Sequence, residues 1–148
     1  GIEIFRKNSK PELDNIRQGE YIGDCYFLSA LGSLCEKGEY LKKLISKVKN
    51  EDGITIGYKV KLNVNGEWKN VLVDKFLPVI EEKGYNKLCF GSSFEKELWV
   101  SLFEKAWAKV NGCYARIGSG GYCNEAFDVL TEAYTELIKI SNINYRYE

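Results

Sequence analysis

The chain has 148 residues, no histidine, and a balanced charge of 21 Lys plus Arg against 21 Asp plus Glu. A single domain of that size buries about 70% of its unfolded surface, and the charge balance excludes the strongly basic footprint of a nucleic-acid binder. No window approaches the roughly 18 uninterrupted apolar residues of a membrane span, and Gly1-Ile2-Glu3-Ile4-Phe5-Arg6-Lys7 is too short and too charged for a signal peptide, which points to an intracellular, cytoplasmic protein.

Residues 1 to 17 are polar and mixed, with Pro11 and Asp14-Asn15, and read as an approach loop with one short turn. Gln18 to Gly23 is a glycine-punctuated loop that runs into an apolar helix predicted from Asp24 to about Lys37. Asp24 stands at the N-cap position and Gly38 where a C′ glycine would end the helix. Phe27, Leu28, Leu31, Leu34 and Cys35 fall on one stripe. Cys25 projects about 120° from the centre of that stripe at 100° per residue. It shares its face with Ser29, Gly32, Ser33 and Glu36.

A second helix is predicted from about Glu39 to Lys49. It would bury Leu41, Leu44, Ile45 and Val48 and turn Lys42, Lys43, Lys47 and Lys49 to solvent. The period then changes to two. Ile54 to Val64 alternates as a strand, Asn65-Gly66 is a two-residue hairpin turn, and Glu67 to Val73 alternates back. Pro78 ends that strand because proline lacks the ladder donor, and Lys87 to Phe90 could form a short third strand. A third helix is predicted to begin near Ser92 or Ser93, where Ser92 and Glu95 fit a capping box. It would bury Trp99, Leu102, Phe103, Ala106 and Val110 and end at Asn111-Gly112. Gly118 to Gly121 is a loop. A fourth helix from about Asn124 to Ile138 would carry Phe127, Leu130, Tyr134 and Leu137 on one face. The last ten residues show no pattern and read as a tail cut from something longer.

The five cysteines, at 25, 35, 89, 113 and 123, are odd in number and form no Cys-x-x-Cys motif, so free thiols in a reducing compartment are expected. Cys35 reads as core. Cys25 is either a small buried hydrophobe or a nucleophile. A thiol at a helix start ionises more easily in the field of the unpaired N–H groups. A neighbouring carboxylate such as Asp24 opposes that, so a cationic partner would still be needed. Asp24 itself reads as a helix cap. Gln18, seven residues before Cys25, is either plain surface or a side-chain donor for an oxyanion hole. The Gly118–Gly121 loop lacks the Lys-Ser/Thr ending of a P-loop and reads as a connector. Trp68, Trp99 and Trp107 read as packing residues. A cysteine hydrolase normally needs an imidazole, so with no histidine the chain either is not one or draws its base from elsewhere.

Gln18-Gly19 followed by Gly23-Asp24-Cys25-Tyr26-Phe27-Leu28-Ser29-Ala30-Leu31 closely resembles the active-site segment of calpains, papain-like cysteine proteases. The likeness continues through Gly66-Glu67-Trp68, Val73-Asp74, Leu77-Pro78, Leu98 to Leu102, Glu104-Lys105-Ala106, Ala108 to Tyr114, Ser119-Gly120-Gly121 and Glu125-Ala126-Phe127. It implies an α+β, papain-like fold: residues 1–138 as the helical, nucleophile-bearing first subdomain with a small antiparallel β-sheet, and 139–148 as a tail toward a second subdomain. It further implies Cys25 as nucleophile and Gln18 as oxyanion donor. The His and Asn would come from the second subdomain, and the substrate would be a protein or peptide. Glu20-Tyr21-Ile22 is one residue longer than the usual two, and Tyr26 replaces the commoner Trp. Calcium is the cofactor the resemblance allows, but the acids expected near Asn15 and Ala115 are absent, with Asp14 adjacent to the first. Two further classes remain from the sequence: a calpain-like binding or scaffold module without proteolysis, and a cysteine-based transferase on an unrelated α+β fold.

Overall fold

The computed structural model describes residues 3–7, 9–94 and 96–138. The N-terminal segment does more than approach the domain. Ile4 O accepts backbone bonds from Leu98 N (3.2 Å) and Trp99 N (3.1 Å), and Phe5 stacks on Trp99 with ring centroids 6.1 Å apart. Apolar burial thus pins a stretch that reads as loop. A 3-10 turn at Leu13–Asn15 and the two-residue strand β1 (Ile16–Arg17) follow.

Helix α1 (Cys25–Leu34) buries Phe27, Leu28 and Leu31 and exposes Ser29 and Ser33, as the spacing predicts. Gly38 departs from its expected role. Its φ of −54° and ψ of −36° are right-handed, and it opens α2 (Gly38–Lys43) after a 3-10 turn at Cys35–Lys37. Space requires the glycine there: a Cβ would stand 2.7 Å from Pro11 Cδ.

The expected Glu39–Lys49 helix stops at Lys43. Ile45–Lys49 is instead strand β2, antiparallel to β3 (Thr55–Val64), with Ile45 opposite Val60 and Val48 opposite Gly57. The β-branched Ile45 and Val48 suit either state locally, and the distant partner strand decides. Lys47 and Lys49 therefore lie on a sheet edge, where lysines discourage further pairing. Strand β4 (Glu67–Asp74) completes the sheet in the order β2-β3-β4, and the hairpin turns at Asn65 (φ 54°) and Gly66 (φ 81°), as predicted.

Past Pro78 a second hairpin forms from β5 (Val79–Glu82) and β6 (Tyr85–Leu88). Half of it is unexpected, because its left-handed turn is Lys83-Gly84 and a lysine at φ 50° is a poor turn signal. Ser92 does not cap a helix. Strand β7 (Ser92–Ser93) pairs with β1, and α3 (Trp99–Asn111) starts later, while Glu95 falls outside the described residues. Gly112 ends α3 at φ 100°. Then come α4 (Tyr114–Ile117) and α5 (Cys123–Thr131). The predicted run of α5 to Ile138 fails at Glu132, which turns left-handed (φ 60°) while its Oε2 accepts from Trp68 Nε1 at 2.6 Å. Tyr134, 91% exposed, buries no face. The expected tail, 139–148, lies outside the described residues.

Helices α3 and α5 lie on the three-stranded sheet and α1 packs against both. Phe27, Leu31, Val60, Leu62, Trp99, Phe103 and Leu130 form the centre of this α+β core. Phe27 also stacks on Trp107, rings nearly parallel at 5.6 Å. Among the described residues no helix is long and apolar enough to cross a membrane. Truncating Phe27 to Ala should cost about 3–5 kcal/mol, read as a lower urea midpoint at unchanged slope; a cost below about 1 kcal/mol would contradict its central place.

Candidate active site

Cys25 is the first residue of α1 and is exposed, while the stripe behind it is buried. The Asp24 carbonyl accepts from Phe27 N (2.9 Å) and Leu28 N (3.2 Å), closing the first turn. The N–H groups of Cys25 and Tyr26 precede the intrahelical ladder and carry the positive end of the helix dipole.

Asp24 sits at the N-cap position, yet its side chain makes no capping bond and is 0% exposed. The expected capping role is therefore wrong. Its carboxyl faces Glu104, a residue of α3 that is 1% exposed. Gly91 N donates to both Glu104 oxygens at 2.9 Å, and Gly91 O accepts from Ser101 Oγ at 2.7 Å. Burial, then the neighbouring Asp24, pushes Glu104 up to about 9, and burial likewise raises Asp24. Glu104 and Gly91 are the site-adjacent residues that the sequence reading missed. The available signal was on the helix: Val100 and Ala108, one turn to either side of Glu104, are both buried.

The loop before Cys25 is tied at nearly every residue. Gln18 is exposed and its Nε2 donates to Ile22 O at 2.7 Å. Gly19 lies against the backbone of the β6–β7 connection; a Cβ there would stand 2.4 Å from Phe90 Cα and 2.5 Å from Cys89 O. Glu20 pairs with Lys87 of β6, Tyr21 points to solvent, and Ile22 is buried with Ala108 and Ile117. The extra residue is thus absorbed by an outward Tyr21.

Gly23 N donates to Gly118 O at 3.2 Å, and a Cβ on Gly23 would come within 2.7 Å of that oxygen. The Gly118–Gly121 connector is therefore docked on the segment that leads into Cys25. Gly121 lies against the Tyr26 ring, whose hydroxyl accepts from Trp107 Nε1 at 3.0 Å. Burial, foremost, raises the pKa of that phenol.

The two positions at which the resemblance expects calcium-binding acids, Asn15 and Ala115, carry no carboxylate. Ala115, on α4, offers no side-chain oxygen, and among the described residues no group of three or more His, Cys, Asp or Glu could hold a metal.

An exposed thiol opening a helix of an α+β domain is an arrangement that suits nucleophilic catalysis. The profile of the calpain family of cysteine proteases matches residues 4–147. The chain is 36% identical over 138 residues to the calpain-type cysteine protease DEK1 of Arabidopsis thaliana, covering 93% of this chain and 6% of that protein. It is 40% identical over 111 residues to the calpain-type cysteine protease ADL1 of Oryza sativa subsp. japonica (74% and 5%), and 37% identical over 117 residues to the calpain-1 catalytic subunit of Homo sapiens (78% and 16%). The chain belongs to the calpain family of cysteine proteases. It spans only 5% to 16% of the length of these relatives.

Replacing Gly19 with Ala should force the Gln18 loop off the Cys89–Phe90 backbone and cost about 1–3 kcal/mol. The exposed Ser33→Ala change serves as a control and should stay within about 0.5 kcal/mol. Urea midpoints compare the two, and equal midpoints would show that the loop does not need its close approach.

Proposed function

We propose that the chain is the nucleophile-bearing half of a papain-like, calpain-type cysteine endopeptidase, with Cys25 as nucleophile and Gln18 as oxyanion donor. The observation that carries this is the placement of Cys25: exposed, at the first residue of α1, ahead of a buried stripe. The Cys25 thiol gives its proton to an imidazole, forming an imidazolium, and the thiolate sulfur attacks the carbonyl carbon of a protein or peptide substrate, whose oxygen becomes an oxyanion. The Cys25 N–H is one donor to it. Gln18 Nε2 has two hydrogens, one of which goes to Ile22 O, leaving the other for the same oxygen. Collapse expels the amine, which takes a proton from an imidazolium, and leaves a thioester. Water, deprotonated by the same imidazole, then releases the acid and the thiol.

The chain has no histidine, so the imidazole and the Asn that orients it belong to a second subdomain, the partner required for activity. All five cysteines are free, which supports a reducing, cytoplasmic setting. A second reading, a binding or scaffold module without proteolysis, is favoured by one observation: the longer loop ties Gln18 to Ile22.

In the chain alone, iodoacetamide should label Cys25 no faster than the exposed Cys113 and Cys123, as peptide mapping by mass spectrometry would show. Fast, selective labelling at neutral pH would overturn the assignment of the base to another subdomain. In a protease that joins this chain to its His-bearing half, Cys25→Ser should abolish peptide hydrolysis. Gln18→Ala should lower kcat by about 10²–10³ with little change in KM. Full activity in the serine variant would refute the nucleophile, unchanged kcat in the alanine variant would remove Gln18 from the mechanism, and no hydrolysis by the joined wild type would favour the scaffold.

A further inference from the structure

Two carboxyl groups lie inside the protein directly beneath the start of α1. Asp24 is 0% exposed and Glu104 is 1% exposed. Leaving an isolated carboxylate in such a place is costly, and two facing carboxylates add mutual repulsion. Among the described residues no cation acts on either. What acts on Asp24 is burial, Glu104 and its own backbone; what acts on Glu104 is burial, Asp24 and the Gly91 amide. Lys105, the next residue of α3, has its ammonium on the Asp74 carboxylate and the Phe76 carbonyl.

Among the described residues no N–H or O–H of an ordinary donor reaches either Asp24 oxygen. Glu104 is nevertheless placed to hydrogen-bond it. Two carboxylates have no hydrogen to share, so a bond between these buried groups requires a proton on one of them. The Glu104 oxygens are fixed from behind by the bifurcated Gly91 N–H, and a Cβ at Gly91 would stand 2.8 Å from Glu104 Oε1. Among the described residues, the other titratable groups that sense the pair are Tyr114 from α4, which responds to both carboxyls, and Tyr26 from α1, which responds to Asp24. None of these brings positive charge.

We propose that Asp24 and Glu104 hold a single proton between them at neutral pH, and that this buried acid–carboxylate pair fastens the first turn of α1 to α3 and Gly91, making Glu104 a positioning residue for Cys25. The proton count sets the pH response. The native Glu104 carboxyl gives up its proton near 9, against an ordinary 4.5. Between those values the folded state holds a proton that the unfolded chain releases, so stability falls as pH rises from about 5 toward about 9. Above that range both carboxyls are ionised and repel. The proposal concerns the seat of Cys25 and rests on its being the nucleophile only for its catalytic consequence.

The test follows unfolding of the 148-residue chain in urea from pH 4 to pH 10, for wild type, Glu104→Gln and Glu104→Leu. The Gln variant reproduces the protonated acid: its amide donates to Asp24 while its oxygen still accepts from Gly91 N. The wild-type midpoint should fall with pH, and the Gln profile should be flatter. The Leu variant should be weakest at neutral pH and recover in acid, where Asp24 is neutral. Infrared difference spectra of wild type minus Gln should show the C=O stretch of one protonated carboxyl at neutral pH, lost through the alkaline transition. The ratio of Cys25 to Cys113 alkylation reads positioning; Gln should preserve it and Leu should change it several-fold. Absence of the protonated carboxyl at neutral pH, or a Gln variant with the wild-type pH slope, overturns the shared proton. An unchanged Cys25 ratio in a folded Leu variant overturns the positioning role. None of these measurements needs peptidase activity, so they stand or fall separately from the protease reading.

Discussion

Helix α1 begins on a residue whose side chain is turned away from it. Asp24 occupies the cap position, but its carboxyl goes inward to Glu104 instead of out to the first N–H groups. A capping bond of the usual kind stabilises a helix by about 1 kcal/mol, and its loss must be offset. Here the offset is tertiary: Phe27 and Leu31 bury fully in the core, and Gly23 N bonds to Gly118 O just ahead of the helix. The benefit is local. A first turn whose N–H groups are not taken by the cap side chain keeps them available beside Cys25. The same inward turn removes a carboxylate from the face the thiol occupies.

Close backbone contact is the second constraint on the site, and glycine alone satisfies it. Gly19 against Cys89 and Phe90, Gly23 against Gly118, and Gly91 against the Glu104 carboxyl each leave no room for a Cβ. These contacts join the loop before Cys25 to the β6–β7 connection, to the connector after α4, and through Glu104 to α3. The surroundings of Cys25 are therefore set by segments far apart in the chain. Lys87 extends the same brace outward by pairing with Glu20, though an exposed pair of this kind contributes little to stability.

What was legible in the sequence follows from which interactions are local. The α1 stripe, the Asn65-Gly66 hairpin and the Gly112 stop depend on neighbours within a few residues, and all appear where the pattern puts them. The misplaced elements each depend on a distant partner. Ile45–Lys49 is a strand because β3 lies beside it, Ser92–Ser93 because β1 does, and α5 stops where Glu132 reaches Trp68. In the site, the exposure of Cys25 was legible because a helix face is a local property. The inward turn of Asp24 was not, since it needs Glu104, eighty residues away. The docking of Gly118–Gly121 was hidden for the same reason.

The chemistry divides along the same line. One helix start can present a thiol, backbone N–H groups and a dipole, all of which follow from a few consecutive residues. It cannot present a general base, and this sequence contains no imidazole to bring in from another element. The acids close to Cys25 offer no substitute: Glu104, pushed up to about 9 by burial and then by Asp24, and Asp24 itself are both sealed from the surface. A carboxyl that is buried and occupied by its neighbour neither accepts the thiol proton nor delivers one to a leaving amine. What the pair does instead is fasten the start of α1, and with it Cys25, to α3. On the function proposed for this chain, the frame of the site lies on α1 and its neighbours, and the proton-transferring groups are supplied from elsewhere.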